Sequence, residues 1–542
     1  MEPSKEILPT EVKSGWTISR MLARQARERP DSPSLQWQTE EPLSYRELYE
    51  HCLHLAGGLR KLGVERGDKV AFMLPNSMEI VLSWFAVNLL AAVEVPINIH
   101  YKGSWLVHEV NDCAARLAIV HEQYIERFVE VDDQLEHLTD LVVVGGDAPG
   151  ITGGKWSMHT WGELEKAEAL EEPVETRYHD TAGILYTSGT TGPSKGVVLP
   201  YGVGGNFAQG IIEVAKLTSD DVNYVVHPLF HGNAQFMQVL PSLLVGARVS
   251  LWPGFSASRW LEQVRSCGAT ITNAIGAICN FVYSQAERED DADNPLRVVI
   301  TQPVPADIAE DFERRFAVKC LEDYGTTEVG VVTYRRLDEP LRPGSAGRAL
   351  EWCDVRIVDP ETDELLPPNE IGEIVVRPKT GGIMMKEYNN APAKTVEAWR
   401  NLWFHTGDAG RMDEDGYLYF SDRTKDIIRR RGENISSFSV ESVVSTHPAV
   451  EECAAIAVPS DHGAEDEVKV CVIPKAGEEL DPAELHEYCA GRMPYFAVPR
   501  YIEYISEIPK TANEKVRKNV LREAGITPNT WDREAAGIQV RK

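Results

Sequence analysis

A chain of 542 residues with 55 Lys+Arg against 83 Asp+Glu, formal net charge −28, has room for several domains and is too acidic to sheathe a nucleic-acid backbone. A hydrophobic share of 43% and a charged share of 25% exclude a disordered or fibrous protein. Nine scattered cysteines without a C-x-x-C pair or zinc-site spacing predict reduced, mostly buried thiols.

Met1–Glu6 lacks the apolar core of a secretory leader, and Val540-Arg541-Lys542 is not the peroxisomal tripeptide, so a cytoplasmic protein is expected. Ser44-Tyr45-Arg46-Glu47 reads as a capping box opening a helix with Leu48, Cys52, Leu55, Leu59 and Leu62 on its apolar side. A strand over Val70–Leu74 follows. The apolar stretch Ile80 to Val95 holds Asn88 and Glu94 and is too short to span a bilayer, which needs about 20 residues, so it reads as a buried helix running into a strand. Further strands are expected at Leu141–Val144, Val222–Val226, Arg248–Leu251 and Val298–Ile300, with helical segments between them. This alternation predicts layered α/β sheets, largely parallel. The acidic run Glu287–Asp293 reads as a solvated loop. Beyond about residue 350 the short strands Val355–Asp359, Gly372–Arg377 and Gly416–Phe420 predict a β-rich subdomain. A small α+β unit then follows, with strands at Ala454–Val458, Val468–Ile473 and Tyr501–Ile505 and a helix opening at Asp481-Pro482. The domains are placed at 1–424 and 425–542.

Tyr186-Thr187-Ser188-Gly189-Thr190-Thr191-Gly192-Pro193-Ser194-Lys195-Gly196 lies between Ile184-Leu185 and Val197–Leu199, which predicts a glycine-rich hairpin. Its hydroxyls, glycines and lysine supply donors without bulk, as a polyphosphate cradle requires, so a nucleotide triphosphate is the expected ligand. The spacing fails the pattern G-x-x-x-x-G-K-[ST].

This segment resembles the signature of the adenylate-forming superfamily, which includes acyl-CoA synthetases, luciferases and the adenylation domains of peptide synthetases. Four further blocks extend the resemblance over nearly the whole chain. Asp323-Tyr324-Gly325-Thr326-Thr327-Glu328 is similar to the family's aromatic-Gly-x-Thr-Glu block. The resemblance implies Mg²⁺ on Glu328 and Thr187, Thr327 at the α-phosphate and Tyr324 against adenine. The ATP set it implies comprises Thr187, Ser188, Gly189, Thr190, Thr191, Lys195, Gln302, Asp323, Tyr324, Gly325, Thr326, Thr327, Asp408, Arg423, Asn434 and Lys515. Asp408, in Trp403–Asp408, and Arg423 would take the ribose, and Lys425 matches the hinge. Lys515 matches the catalytic lysine, with Glu514 standing where the family commonly has Gly, and Thr301-Gln302-Pro303 replaces the usual Gly-Ala-Pro. With Lys515, Glu328, Thr327 and Lys195 form the implied catalytic set.

His231, Asn233, Gln235, Gly276, Val329 and Gly330 fall where family members build the acyl pocket, His231 at the gate. Arg429-Arg430-Arg431-Gly432-Glu433-Asn434 resembles a block of acyl-CoA ligases of the carnitine/crotonobetaine kind. It implies CoA contacts at Arg429, Arg431, Gly432 and Glu433, the three arginines forming a cationic patch. The expected enzyme is an AMP-forming acyl-CoA ligase using ATP, Mg²⁺ and CoA on a small carboxylic acid, without nucleic acid or an integral membrane segment. Fatty acyl-CoA ligases belong to the same group. A carrier-protein-loading ligase and a non-catalytic nucleotide-binding protein are the rival readings; the identity of the acid and a homodimer stay open.

Overall fold

The computed structural model describes residues 10–146, 155–187, 194–302, 304, 306–423, 426, 428–430, 433–435, 437–460, 466–478, 480–493, 495–510 and 516–538. Two large sheets organise the chain between residues 33 and 388. One has eight strands in the order Glu387–Tyr388, Lys195–Pro200, Thr181–Thr187, Val93–Pro96, Lys69–Met73, Leu117–His121, Asp140–Val144 and Ser157–Thr160. The other has nine, with the parallel run Arg248–Leu251, Val222–Val225, Ile271–Ile275, Val298–Gln302 and Lys319–Thr326 at its heart.

Side-chain alternation along these strands explains the layering. In Lys69–Met73, Val70 and Phe72 join a core shared by both sheets, whereas Ala71 and Met73 join a second core with Leu106, Val110 and Phe128. In Val298–Gln302, Val298 and Ile300 face the shared core and Val299 faces a third one with Trp260 and Phe312. Period-two strands buried on both faces need helices on both faces, and the result is a helix–sheet–helix–sheet–helix stack. Met78–Leu89, apolar all round, lies in the shared core, as a helix without a polar stripe must. The capping box at Ser44 forms both of its reciprocal bonds and opens the helix Tyr45–Lys61. Val93–Pro96 is the strand into which Met78–Leu89 leads.

A five-stranded sheet formed by Cys353–Val358, Gly372–Pro378, Trp399–Arg400, Trp403–Met412 and Leu418–Arg423 is the β-rich subdomain. Residues 428–538 hold two cores of their own around the strands Val450–Pro459, Asp466–Pro474 and Tyr501–Tyr504. Among the described residues no helix is long and apolar enough to cross a membrane. Of the nine cysteines, eight are buried and Cys453 is partly so, and all are free thiols.

The acidic run is largely the exposed loop expected, with one departure at Asp291. Asp291 is 3% exposed and pairs at 2.7 Å with the equally buried Arg315, whose remaining donors hold the carbonyls of Tyr283, Gln285 and Ala286. Asp290 pairs with Arg265. Charge counting along the sequence cannot see that Arg315, one helix later, supplies the counter-charge. The cationic patch is corrected in the same way. Arg430 is 1% exposed, pairs with Glu467 at 2.7 Å and donates to the carbonyls of Phe496 and Val498, so it is a core residue of the C-terminal unit.

Candidate active site

The glycine-rich segment is a hairpin, with Thr187 opposite Lys195 and Tyr186 opposite Gly196. Ser188, Gly189, Thr190, Thr191, Gly192 and Pro193 lie outside the described residues, so the structure shows the two stems. Gly196 is required by packing: a Cβ there would meet Ile184 at 2.9 Å and the Tyr186 ring at 3.1 Å. Thr187 Oγ1 donates to the Lys195 carbonyl at 3.5 Å.

Across the edge of the same sheet runs the short strand Glu387–Tyr388, with Tyr388 opposite Val197. Its phenol donates to Glu328 Oε1 at 3.0 Å, and the Lys195 ammonium stands 4.9 Å from its ring centre. Burial, then the Glu328 carboxylate, raise the Tyr388 pKa and keep the phenol protonated. Thr327, Glu328 and Val329 form the turn between the antiparallel strands Lys319–Thr326 and Gly330–Tyr334. The turn closes tightly because a Cβ on Gly325 would lie 2.4 Å from the Gly330 carbonyl oxygen, and Gly330 itself has φ +76°. Met385 N–H holds the Glu328 carbonyl at 2.7 Å. Lys195, paired with Thr187 in the hairpin, and the distant Glu328 therefore converge through Tyr388, which the sequence reading missed. Only an aromatic followed by two asparagines hinted at it.

A second focus lies one residue pair away. Tyr324 is buried; its phenol donates to Asp408 Oδ2 at 2.8 Å and its ring runs nearly parallel to Phe420, 6.1 Å between centroids. Burial, then the Asp408 charge, push its pKa well up. Asp408 and Arg423 are paired across adjacent strands, which brings the two ribose candidates together at the backbone level. Gln302 donates to Asp323 Oδ1 at 3.0 Å, below this focus. Asp323 is 2% exposed, its Oδ2 has no hydrogen-bond partner among the described residues, and desolvation pushes its carboxyl up to about 8. Gly325 and Thr326 end the strand between the two foci, both partly exposed.

Around the expected acyl wall, His231 precedes the short helix Gly232–Ala234, its ring 4.9 Å from that of Phe230. Asn233 Oδ1 accepts from Asn273 Nδ2 at 3.1 Å, tying this helix to the strand that ends at the exposed Ile275, after which the partly exposed Gly276 opens the next helix. Val329 is buried. Gln235 turns toward the other sheet, where its Nε2 donates to Glu94 at 3.1 Å; both are 1% exposed, and desolvation raises the Glu94 carboxyl well above the usual range.

The remaining expectations concern the C-terminal unit. Lys425, Arg431, Gly432 and Lys515 lie outside the described residues. Arg429, Glu433 and Asn434 sit on a two-stranded hairpin, with Arg429 opposite Asn434. Lys510 and Val516 bridge across the segment that carries Lys515, and Lys510 pairs with Glu452 at 2.8 Å. Arg522 pairs with Asp426, the residue after Lys425.

Comparison with known proteins accounts for this arrangement. The family described as AMP-binding enzyme matches residues 22–389, and AMP-binding enzyme C-terminal domain matches 439–515. The chain belongs to the AMP-binding enzyme family. Crotonobetaine/carnitine–CoA ligases of Salmonella typhimurium strain LT2 and Salmonella typhi are 31% identical over 487 residues, covering 88% of this chain and 93% of theirs. ATP-bound MatB from Rhodopseudomonas palustris superposes with TM-score 0.82 at 25% identity over 94% of this chain and 98% of that one. O-succinylbenzoate coenzyme A synthetase from Bacillus subtilis, in complex with AMP, gives 0.79 at 25% over 93% and 98%. The mixed α/β architecture is that of these ligases, and this family member is an adenylate-forming acyl-CoA synthetase, an acid–thiol ligase.

Proposed function

We propose that this synthetase activates a small carboxylic acid on MgATP at the Lys195–Tyr388–Glu328 focus and passes the acyl group to CoA. The observation that carries this is the convergence of a cation, an oriented carboxylate and the Tyr324–Asp408 pair, contributed by strands of the eight-, nine- and five-stranded sheets. Lys195 and Thr187, with Ser188–Thr191, hold the β- and γ-phosphates, and Thr327 holds the α-phosphate. Asp408, fixed by Tyr324, faces the ribose diol with its two acceptor oxygens, assisted by Arg423. Glu328 suits a hard cation: Tyr388 occupies Oε1, and Oε2 makes no hydrogen bond among the described residues. Bound there, Mg²⁺ would neutralise triphosphate charge.

Attack of a carboxylate on the α-phosphate brings two anions together, so a cation bridging both is the electrostatic requirement, which Lys515 meets. One α-phosphate bond to the leaving pyrophosphate breaks as the acyl–phosphate bond forms. The CoA thiol then attacks the acyl carbon, and AMP leaves with the bonding pair. We place the domain boundary at 424/425, with Lys425 as the hinge, and assign Arg429, Arg431, Gly432 and Glu433 to CoA and Asn434 to the AMP phosphate in the second step. His231, Asn233, Gly276 and Gly330 line the acid's side of the site. A cytoplasmic location and a homodimer complete the reading; fractionation and light scattering test them.

The function is tested by incubating the protein with MgATP, CoA and short, medium, long, aromatic and betaine acids, reading AMP release and thioester mass together. AMP with thioester for one class supports the reading and names the acid. Acyl-adenylate without thioester indicates a carrier-protein acceptor, and ATP binding without acid-dependent pyrophosphate exchange refutes catalysis.

A further inference from the structure

The helix Ser104–Asp112 packs on the outer face of the eight-stranded sheet, and its last turn grips the hairpin from outside. Asp112 is the node. Its Oδ2 accepts from the Tyr186 phenol at 2.7 Å and from Asn389 Nδ2 at 3.0 Å, its Oδ1 from Asn390 Nδ2 at 3.2 Å, and its carbonyl from both amides at 2.7 Å. Tyr186 is the residue before Thr187, and Asn389 and Asn390 follow Tyr388 directly.

The other stem is held from the same helix. His108 Nε2–H donates to the Ser194 carbonyl at 2.8 Å, and Ser194 Oγ donates to Glu109 Oε1 at 2.9 Å. Glu109 is 1% exposed, and desolvation pushes its carboxyl up to about 8, so it adds no negative charge beside the stem at neutral pH. Asn389 N–H bonds the Gly196 carbonyl at 2.7 Å, closing the circuit. Three segments that neighbour one another in the sheet are thereby tied to one helix as well: the Tyr186–Thr187 stem, the Ser194–Lys195 stem and the Tyr388 segment that aims Glu328.

We propose that Asp112 is a positioning residue for the terminal phosphates of ATP, setting both hairpin stems and the Tyr388–Glu328 pair in the register that receives them. It touches no substrate; it acts through Tyr186 and the Asn389-Asn390 amides. The proposal rests on the nucleotide reading above and adds that the β,γ-phosphate subsite, rather than the adenosine subsite, depends on Asp112. Adenosine and α-phosphate are assigned to Tyr324, Thr327 and Asp408, and Tyr324 is held by Asp408 rather than by this helix.

Titration calorimetry of the full-length protein with MgATP and, separately, with AMP tests this. Replacing Asp112 by Ala should weaken MgATP about tenfold and leave AMP within about twofold, since the three side-chain hydrogen bonds it removes, two of them partly buried, orient only the triphosphate side. Tyr186→Phe, which keeps the ring and removes one donor, should weaken MgATP about threefold with the same indifference to AMP, and it decides the matter if Asp112→Ala does not fold. Equal weakening of both nucleotides, or of neither, overturns the proposal, because Asp112 then serves the fold alone. A wild-type protein that binds neither nucleotide refutes the nucleotide reading itself, and the proposal with it.

Discussion

At the scale of single residues, buried acids set the chemistry apart from the surface. Asp323, Glu322 and Glu109 are each raised to about 8, desolvation being the largest cause in every case. A carboxyl whose folded pKa exceeds its unfolded value of about 4 keeps a proton on folding, so its contribution to stability is complete below about pH 4 and is lost as pH rises through the folded value near 8. Asp323→Asn retains the oxygen that accepts from Gln302 and removes the titration. Its thermal midpoint should therefore gain on wild type progressively from pH 5 to pH 8, and parallel curves for the two proteins would refute the assignment. Lys515 belongs to the same scale. Lys515→Ala should abolish acid-dependent pyrophosphate exchange, by a factor of about 10² or more, and spare thioester formation from supplied acyl-adenylate. Equal loss of both half-reactions would remove the division of labour proposed for it.

At the scale of elements, the hairpin, the capping box and most strand centres were legible because period-two and helical spacing are local properties. The partners of those elements were not. Asp291 read as solvated because its seven-residue neighbourhood is acidic, yet Arg315 reaches it from the following helix Ala309–Phe316 and both are buried. Removing one member of such a pair leaves an unpartnered charge in a dry site, so Asp291→Ala should cost about 3–5 kcal/mol in urea unfolding. A loss below about 1 kcal/mol would return Asp291 to the surface with the rest of the run. Tyr388 escaped notice for a related reason: Glu387–Tyr388 is a two-residue strand, too short for any periodicity, and its place on the sheet edge comes from pairing with Lys195–Pro200. The candidate site was thus readable where a motif carries its own chemistry, as in Lys195, Glu328 and Asp408, and unreadable where a residue acts by holding another.

At the scale of the whole molecule, the proposed reaction asks the C-terminal unit to serve two steps with different faces, Lys515 in the first and the 429–434 hairpin in the second. Described residues near each are ion-paired within that unit: Lys518 pairs with Glu441 at 2.8 Å, and Arg522 with Asp426. Such a body turns about the chain that precedes it, and a proline at the hinge would fix a dihedral that must change. Lys425→Pro should slow thioester formation by about tenfold or more while leaving pyrophosphate exchange within about twofold; unchanged thioester kinetics would reject the hinge.

The sequence by itself determined the α/β class, the change to a β-rich region and then a small α+β unit, and the residues whose chemistry suits a nucleotide, because composition, periodicity and motif spacing are written along the chain. Only the tertiary structure decided that Arg430 and Asp291 are core ion pairs, that Tyr324 fixes Asp408, and that Asp112 ties the hairpin to the Tyr388 segment. Those relations join residues up to 278 positions apart. They depend on which faces two sheets bury against each other, and no local pattern encodes that.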